Sequence, residues 1–341
     1  MKNLFSTIIL SSLFLTFACS AKAQNKQLSE QERYKLAAEY SEEFRGLSVL
    51  ILKKGKVVYE EYQNGHSTDK PWMLASGTKS FSGAMLAAAI EDKLVKSFDE
   101  KVSETITEWK NDPKKANITL RQLLSLTSGI DAGQIGRVPT YAEAVNSPFE
   151  SVAGAKFEYG HVPFQIFGEV MKRKLAPKKE TVMQYLERRI LNPIGMKVAF
   201  WRKVEGDPLL PQGANLTARE WSKFGEFLIN GGKVDGKQIV KKKLLDELVI
   251  GSKTNPAYGL TFWLNKKGKN PRGQTMAARG DVEEISANGI TDSVDDLFMA
   301  AGAGKQRLYV IPLMDLVIVR QGQQSRFDDG DFLKRLISGQ K

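Results

Sequence analysis

Ser76-Gly77-Thr78-Lys79 stands at the head of an apolar run, Phe81–Ile90. The run reads as a buried helix. Residues three apart on a helix share a face, so the Ser76 hydroxyl and the Lys79 amine converge on the first turn. An amine held out of water gives up its proton near neutral pH and can serve as a base. The N-terminal turn also presents backbone N–H groups to a developing negative charge. A nucleophile, a base and part of an oxyanion hole are the components of acyl transfer through a covalent intermediate. A serine N-cap followed by a lysine on a solvated face would show the same four residues. The rest of the chain has to separate the two readings.

The elements that would carry this turn follow from periodicity and stop signals. Gln27 to Phe44 is charged with helical spacing. Leu47–Leu52 and Val57–Tyr62 are strands joined by the turn Lys54-Gly55-Lys56, which makes a hairpin. Ile118–Gln122 opens a helix with Thr119 and Gln122 as a capping box, closed by Ser128-Gly129. Val182–Leu191 is helical up to Asn192-Pro193. Thr217 and Glu220 form a second capping box, for a helix that ends at Asn230-Gly231-Gly232. Tyr258–Leu264, Gln306–Ile311 and Leu316–Arg320 are strands, and Asp331–Ile337 is a closing helix. Strands, a long mainly helical middle, then strands again predict a mixed α/β (α+β) architecture. One antiparallel sheet is built from both chain ends, and the helical middle forms a second lobe.

Composition narrows the setting. Lys2, the apolar stretch Leu4–Phe17 and Ala21-Lys22-Ala23 have the form of a cleaved export signal, leaving Gln24 first. Residues 1–23 are therefore assigned to a signal peptide and 24–341 to the functional domain. Acylation of Cys19 is the alternative, but Thr16-Phe17-Ala18 before it lacks the usual aliphatic residue. Cys19 is the single cysteine of the chain. The mature protein then has no disulfide, thiol nucleophile or Cys-ligated zinc. The only histidines are His66 and His161, so a His-rich metal site is not expected, and neither is a metal or organic cofactor. No later apolar run reaches membrane-spanning length. Loss of Lys2 and Lys22, with no acid in the segment, lowers the net charge from +11 to +9. The basic residues are scattered and lack the interleaved aromatics of a nucleic-acid surface. The expectation is an exported protein, periplasmic or secreted, whose partner is a small molecule.

Four stretches decide between the two readings of the tetrad. They are Ser76-Gly-Thr-Lys79, Ile118-Thr-Leu-Arg-Gln-Leu-Leu-Ser-Leu-Thr-Ser-Gly129, Tyr159-Gly160-His161 with the following Phe164–Gly168 and Ile190–Met196, and Ala300-Ala-Gly-Ala-Gly-Lys-Gln-Arg-Leu-Tyr-Val-Ile-Pro312. In this order the chain resembles the serine β-lactamase and penicillin-binding-protein superfamily, most closely its class C-like serine hydrolase branch. The resemblance implies a β-lactamase/transpeptidase-like fold and makes Ser76 the acylated nucleophile. Lys79 would take the Ser76 proton or hold Tyr159 as a tyrosinate. Tyr159 matches the tyrosine of the family's Y-x-N motif and would return a proton to the leaving group. The N–H groups of Ser76 and Ala303 would form the oxyanion hole, with His161, Gly302 and Gln306 lining the substrate.

Two positions depart from that pattern. His161 stands where the motif commonly has Asn; it could donate to a substrate carbonyl or to Lys79, or be an ordinary core histidine. Ala300-Ala301-Gly302 stands where penicillin-recognising members have a basic residue, Thr and Gly. Gly302 still lets the backbone approach closely, but the groups that bind a substrate carboxylate are absent unless Lys305 or Arg307 reaches in. The implied activity is cleavage of a small ester or amide, as in esterase-like and nylon-oligomer-hydrolase-like members. β-Lactamase or D,D-peptidase action, or a non-catalytic binding or sensor role, are the alternatives. His66 lies outside every motif.

Overall fold

The computed structural model describes residues 27–133, 137–267 and 289–341. The assigned export segment, with Cys19, lies outside them. Helix α1 (Glu30–Glu43) starts at Ser29, whose hydroxyl accepts the Glu32 N–H while the Glu32 carboxylate caps the Ser29 N–H. The hairpin follows as β1 (Gly46–Lys53) and β2 (Lys56–Tyr62). The far end of the chain supplies β3 (Trp263–Leu264), β4 (Phe298–Gly302), β5 (Gln306–Ile311) and β6 (Leu316–Gly322). The six strands run β3-β4-β5-β6-β1-β2. Every pairing is antiparallel, and β1 joins β6 with Leu50 opposite Val319. The two chain ends thus make one sheet, as their patterns predict.

Helices cover both faces of this sheet. On β6 the Arg320 side chain turns to Ser41 of α1. On the opposite face Val317 meets Gly225 of α5 (Ala218–Ile229). The closing helix α6 (Asp329–Ser338) packs beside α1. Helix α2 (Ser80–Glu91) is buried from Ser80 to Ala89 on all sides, which an apolar sequence without a polar stripe requires. The middle of the chain forms the second lobe, including α3 (Leu120–Leu124) and α4 (Val162–Leu175).

Four expectations need correction. The capping box of α3 forms between Thr119 and Gln122, but the helix ends at Ser125 rather than at Ser128-Gly129. The segment Val182–Leu191 stops at Asn192 as predicted, yet it widens to a π-helix from Glu187. Thr217 caps α5, but Glu220 does not reach back; its carboxylate accepts the Lys197 N–H at 2.6 Å and binds Lys223. Of Tyr258–Leu264 only Trp263-Leu264 is strand. Thr261 adopts φ +82°, and the Gly259 N–H donates to Phe262 O, so the chain folds back on itself. Burial of both flanks of that turn mimics the unbroken apolar pattern of a buried strand.

Candidate active site

Ser76 and Lys79 lie on a 3₁₀ turn, Ala75–Lys79, which runs directly into α2. The expected first turn of the helix is therefore wound more tightly than an α-helix. Residues i and i+3 eclipse in a 3₁₀ turn, which is the spacing this pair needs. The turn is held from three sides. The Leu74 N–H donates to Ala214 O and the Gly77 N–H to Leu74 O, both at 2.9 Å. Between them Ala75 is left-handed, at φ +46°, a conformation that L-residues adopt only under constraint. Gly77 lies against Trp221 of α5; a Cβ there would come within 2.9 Å of the indole.

Lys79 Nζ lies 3.1 Å from Ser76 Oγ and 3.2 Å from Pro211 O. The lysine is 1% exposed. Burial alone pushes its ammonium down to about 7. The amine also sits over two ring faces, 4.9 Å from the centre of Tyr159 and 5.3 Å from that of Phe164. Those faces favour the charged form and partly oppose the desolvation. With one N–H on Pro211 O, a neutral amine has its lone pair available to the Ser76 O–H.

The Tyr159 ring is fixed by aromatic neighbours. It stacks on Trp263 at 5.6 Å and meets Tyr258 edge-on at 6.1 Å. The structure therefore brings Tyr159 to the Lys79 amine by its ring face. His161 immediately precedes α4, and its ring is buried. Neither ring nitrogen has a hydrogen-bond partner among the described residues. Burial, and secondarily the Lys79 charge, hold the imidazole down at about 3, so it stays neutral beside the amine. His66 is elsewhere, packed against Tyr62 and Trp72.

Strand β4 forms the opposite wall. Gly302 is pressed against the Ser76 turn so closely that a Cβ would lie 2.0 Å from Leu74 O and 3.0 Å from Gly77 N. That contact places Ala303, the next residue, at the edge of the turn. Gln306, grouped by its motif with the substrate-lining residues, is buried and its amide is occupied elsewhere. Nε2 donates to Ala303 O and Gly304 O at 3.2 Å and to Gly322 O at 2.6 Å, while Oε1 accepts the Gly322 N–H. Arg307 is likewise engaged behind the strand, with both oxygens of Asp329 at 2.7 and 2.9 Å. Lys305 is also buried and adds its field to Asp329. Arg307 is thus withdrawn as a reader of a substrate carboxylate.

Sequence reasoning misses the Pro211 carbonyl and the groups that hold it. Gln165 of α4 is fully buried; its Nε2 donates to Pro139 O and its Oε1 accepts the Leu210 N–H. Thr78 Oγ1 accepts the Ala214 N–H. A backbone carbonyl carries no residue signature. Gln165 between apolar neighbours in Phe164–Gly168 was the available hint, because a buried amide needs partners.

Known proteins share the sequence pattern and the fold of this chain. The β-lactamase family model matches residues 34–336. A candidate β-lactamase from Bacteroides dorei superposes with a TM-score of 0.70 at 17% identity, covering 92% of this chain and 99% of that one. A family VIII carboxylesterase gives a TM-score of 0.64 at 17% identity, with 92% and 97% covered. A class C β-lactamase from Rhodobacter sphaeroides gives 0.66 at 14% identity, with 89% and 99% covered. At these identities the structures share the fold. An uncharacterized protein of Alkalihalophilus pseudofirmus is 25% identical over 226 residues, 58% of this chain; the match spans 63% of that curated relative's length.

Proposed function

The chain belongs to the β-lactamase family, and from that membership and its Ser76–Lys79 geometry we propose that it is a serine hydrolase cleaving a small ester or amide. The observation that carries this is a buried amine 3.1 Å from the Ser76 hydroxyl, with its proton affinity lowered to about 7. Neutral Lys79 takes the proton as Ser76 Oγ attacks the carbonyl carbon and the carbonyl π pair moves to oxygen. The N–H groups of Ser76 and Ala303 receive that oxyanion. Collapse of the tetrahedral species breaks the bond to the leaving group, which takes the proton back from Lys79 or from Tyr159 beside it. Water then enters by the same route in reverse and releases the acid.

The residues of β4 support an uncharged substrate class. Ala300 and Ala301 offer no cation or hydroxyl, Arg307 is held by Asp329, and Lys305 is buried with its charge acting on the same carboxylate. A substrate carboxylate would lack a charge-assisted hydrogen bond, an interaction typically worth about 1.5–3 kcal/mol. That is roughly ten- to two-hundredfold in binding or rate. Steady-state kinetics should therefore give a higher kcat/KM on an uncharged short-chain p-nitrophenyl ester than on a chromogenic cephalosporin. The reverse ranking would return the protein to penicillin-type substrates. Absence of fluorophosphonate labelling of the native protein would favour a non-catalytic role.

We also propose that the protein acts outside the cytoplasm. Lys2, Leu4–Phe17 and Ala21-Lys22-Ala23 support cleavage before Gln24. The mass of the protein purified from its native envelope fraction should begin at Gln24. A diacylglyceryl group on Cys19 would show membrane anchoring instead.

A further inference from the structure

The turn between β4 and β5 carries Ala303, the oxyanion donor of the hydrolase reading on which this inference rests. Every carbonyl from Gly302 to Gln306 is held from behind by one of three side chains. Arg307 Nη1 donates to Gly302 O at 3.3 Å and to Gln306 O at 3.1 Å. Gln306 Nε2 donates to Ala303 O and Gly304 O. Arg320 Nη1 donates to Lys305 O at 2.8 Å. These three side chains are at most 1% exposed. Arg307 and Arg320 are register partners on neighbouring strands, on the face covered by α1 and α6.

The contact at Gly302 O matters most. Gly302 C=O and Ala303 N–H belong to one planar trans peptide, so they point in opposite directions. A donor fixed on the oxygen sets the plane and thereby the direction of the N–H. Arg307 cannot drift, because Asp329 grips it through both oxygens, and Tyr309 OH donates to the same carboxylate. Asp329 is the first residue of α6 and follows the N-cap Asp328. A buried ion pair of this kind contributes little net stability compared with apolar packing. Its fixed fork geometry does orient what it touches.

We propose that Arg307, clamped by Asp329, is a positioning residue that holds the Gly302–Ala303 peptide with its N–H toward the Ser76 turn, and that Gln306 and Arg320 fix the rest of that turn. The two arginines also place positive charge on the carbonyl side of these peptides, which polarises the N–H groups opposite. The Gln306 side chain thereby supports the site without touching substrate.

The test is Arg307→Lys, which keeps the cation and loses the fork. Turnover of a p-nitrophenyl ester is measured per active site titrated with fluorophosphonate. The expected result is a fall in kcat of about 10²-fold, the scale of a lost oxyanion donor, with KM within about threefold. The inhibition constant of an alkyl boronic acid, which forms a tetrahedral serine adduct, should rise by the same factor. A role in folding alone would lower the titrated fraction and the melting temperature and leave kcat per site unchanged. A folded Arg307→Lys protein with unchanged kcat, or a loss carried by KM, overturns the proposal. Should that variant not fold, Gln306→Met removes the donors to Ala303 O and Gly304 O; about a tenfold loss of kcat is expected, and none would overturn the proposal. Native protein that labels at Ser76 while these variants keep their kcat removes this inference alone. Native protein that does not label removes the hydrolase reading beneath it.

Discussion

Ser76→Ala is expected to eliminate turnover and covalent labelling, with a loss on the order of 10⁵–10⁶ in kcat, the scale seen when a nucleophile acting within a catalytic unit is removed. The physical case is geometric. Ser76 follows a left-handed Ala75 and lies on a turn fixed by hydrogen bonds from Leu74 and Gly77 and by contact with Trp221. Its hydroxyl faces the buried amine. The variant loses one oxygen atom at a partly exposed position, so the cooperative melt and the far-ultraviolet circular dichroism should match those of the native protein. Labelling with a fluorophosphonate followed by peptide mapping checks the assignment. A labelled serine elsewhere, such as buried Ser80 or Ser125, would move the nucleophile.

Lys79→Ala should cost about 10³-fold in kcat, within the usual range for a general base. The pH profile is the sharper test. Burial lowers the Lys79 amine to about 7, far below its ordinary range. With the neutral form as the base of the proposed mechanism, kcat/KM should rise tenfold per pH unit below about 7 and level off above it. The opposite slope, activity falling as pH rises through 7, would require ammonium as the active form. His161 cannot produce this limb, because its imidazole is held neutral down to about 3. In Lys79→Arg the limb should vanish along with most activity, since a guanidinium keeps its charge throughout. A native limb that survives in Lys79→Arg would hand the role of base to Tyr159.

Legibility varied with how local each feature is. The Thr119–Gln122 capping box, the hairpin at Lys54-Gly55-Lys56 and the stop at Asn192 depend on contacts within a few residues, and the sequence pattern displays them. Glu220 had the same local signature as Gln122. It turned instead to the Lys197 N–H, 23 residues away, because a nearer competitor for its carboxylate exists only in the folded chain. The Tyr258–Leu264 segment failed for a related reason. Its residues are buried on both sides of a turn, and an apolar run does not record where it bends.

The sequence by itself carries the family and the proposed class of chemistry. Ser76, Lys79 and Tyr159 are recognisable by type, spacing and order, although the pattern indicates the first turn of an α-helix where the chain winds a 3₁₀ turn. It also indicated one sheet from both chain ends, through the apolar patterns of β1, β5 and β6, while Phe298–Gly302 joined it as a strand that the pattern had not marked. The tertiary structure alone decided how these groups are tuned. The lowered proton affinity of Lys79 comes from enclosure by residues remote in the chain, and Pro211 O reaches it across 132 positions. The fates of Gln306 and Arg307 were equally hidden. A polar side chain beside a strand that lines a site points either to substrate or to the strand's own backbone, and its residue type is the same in both cases. Burial settles the matter, because an amide or guanidinium removed from water must find partners where it lies. Here those partners are the carbonyls of the turn and the carboxylate of Asp329.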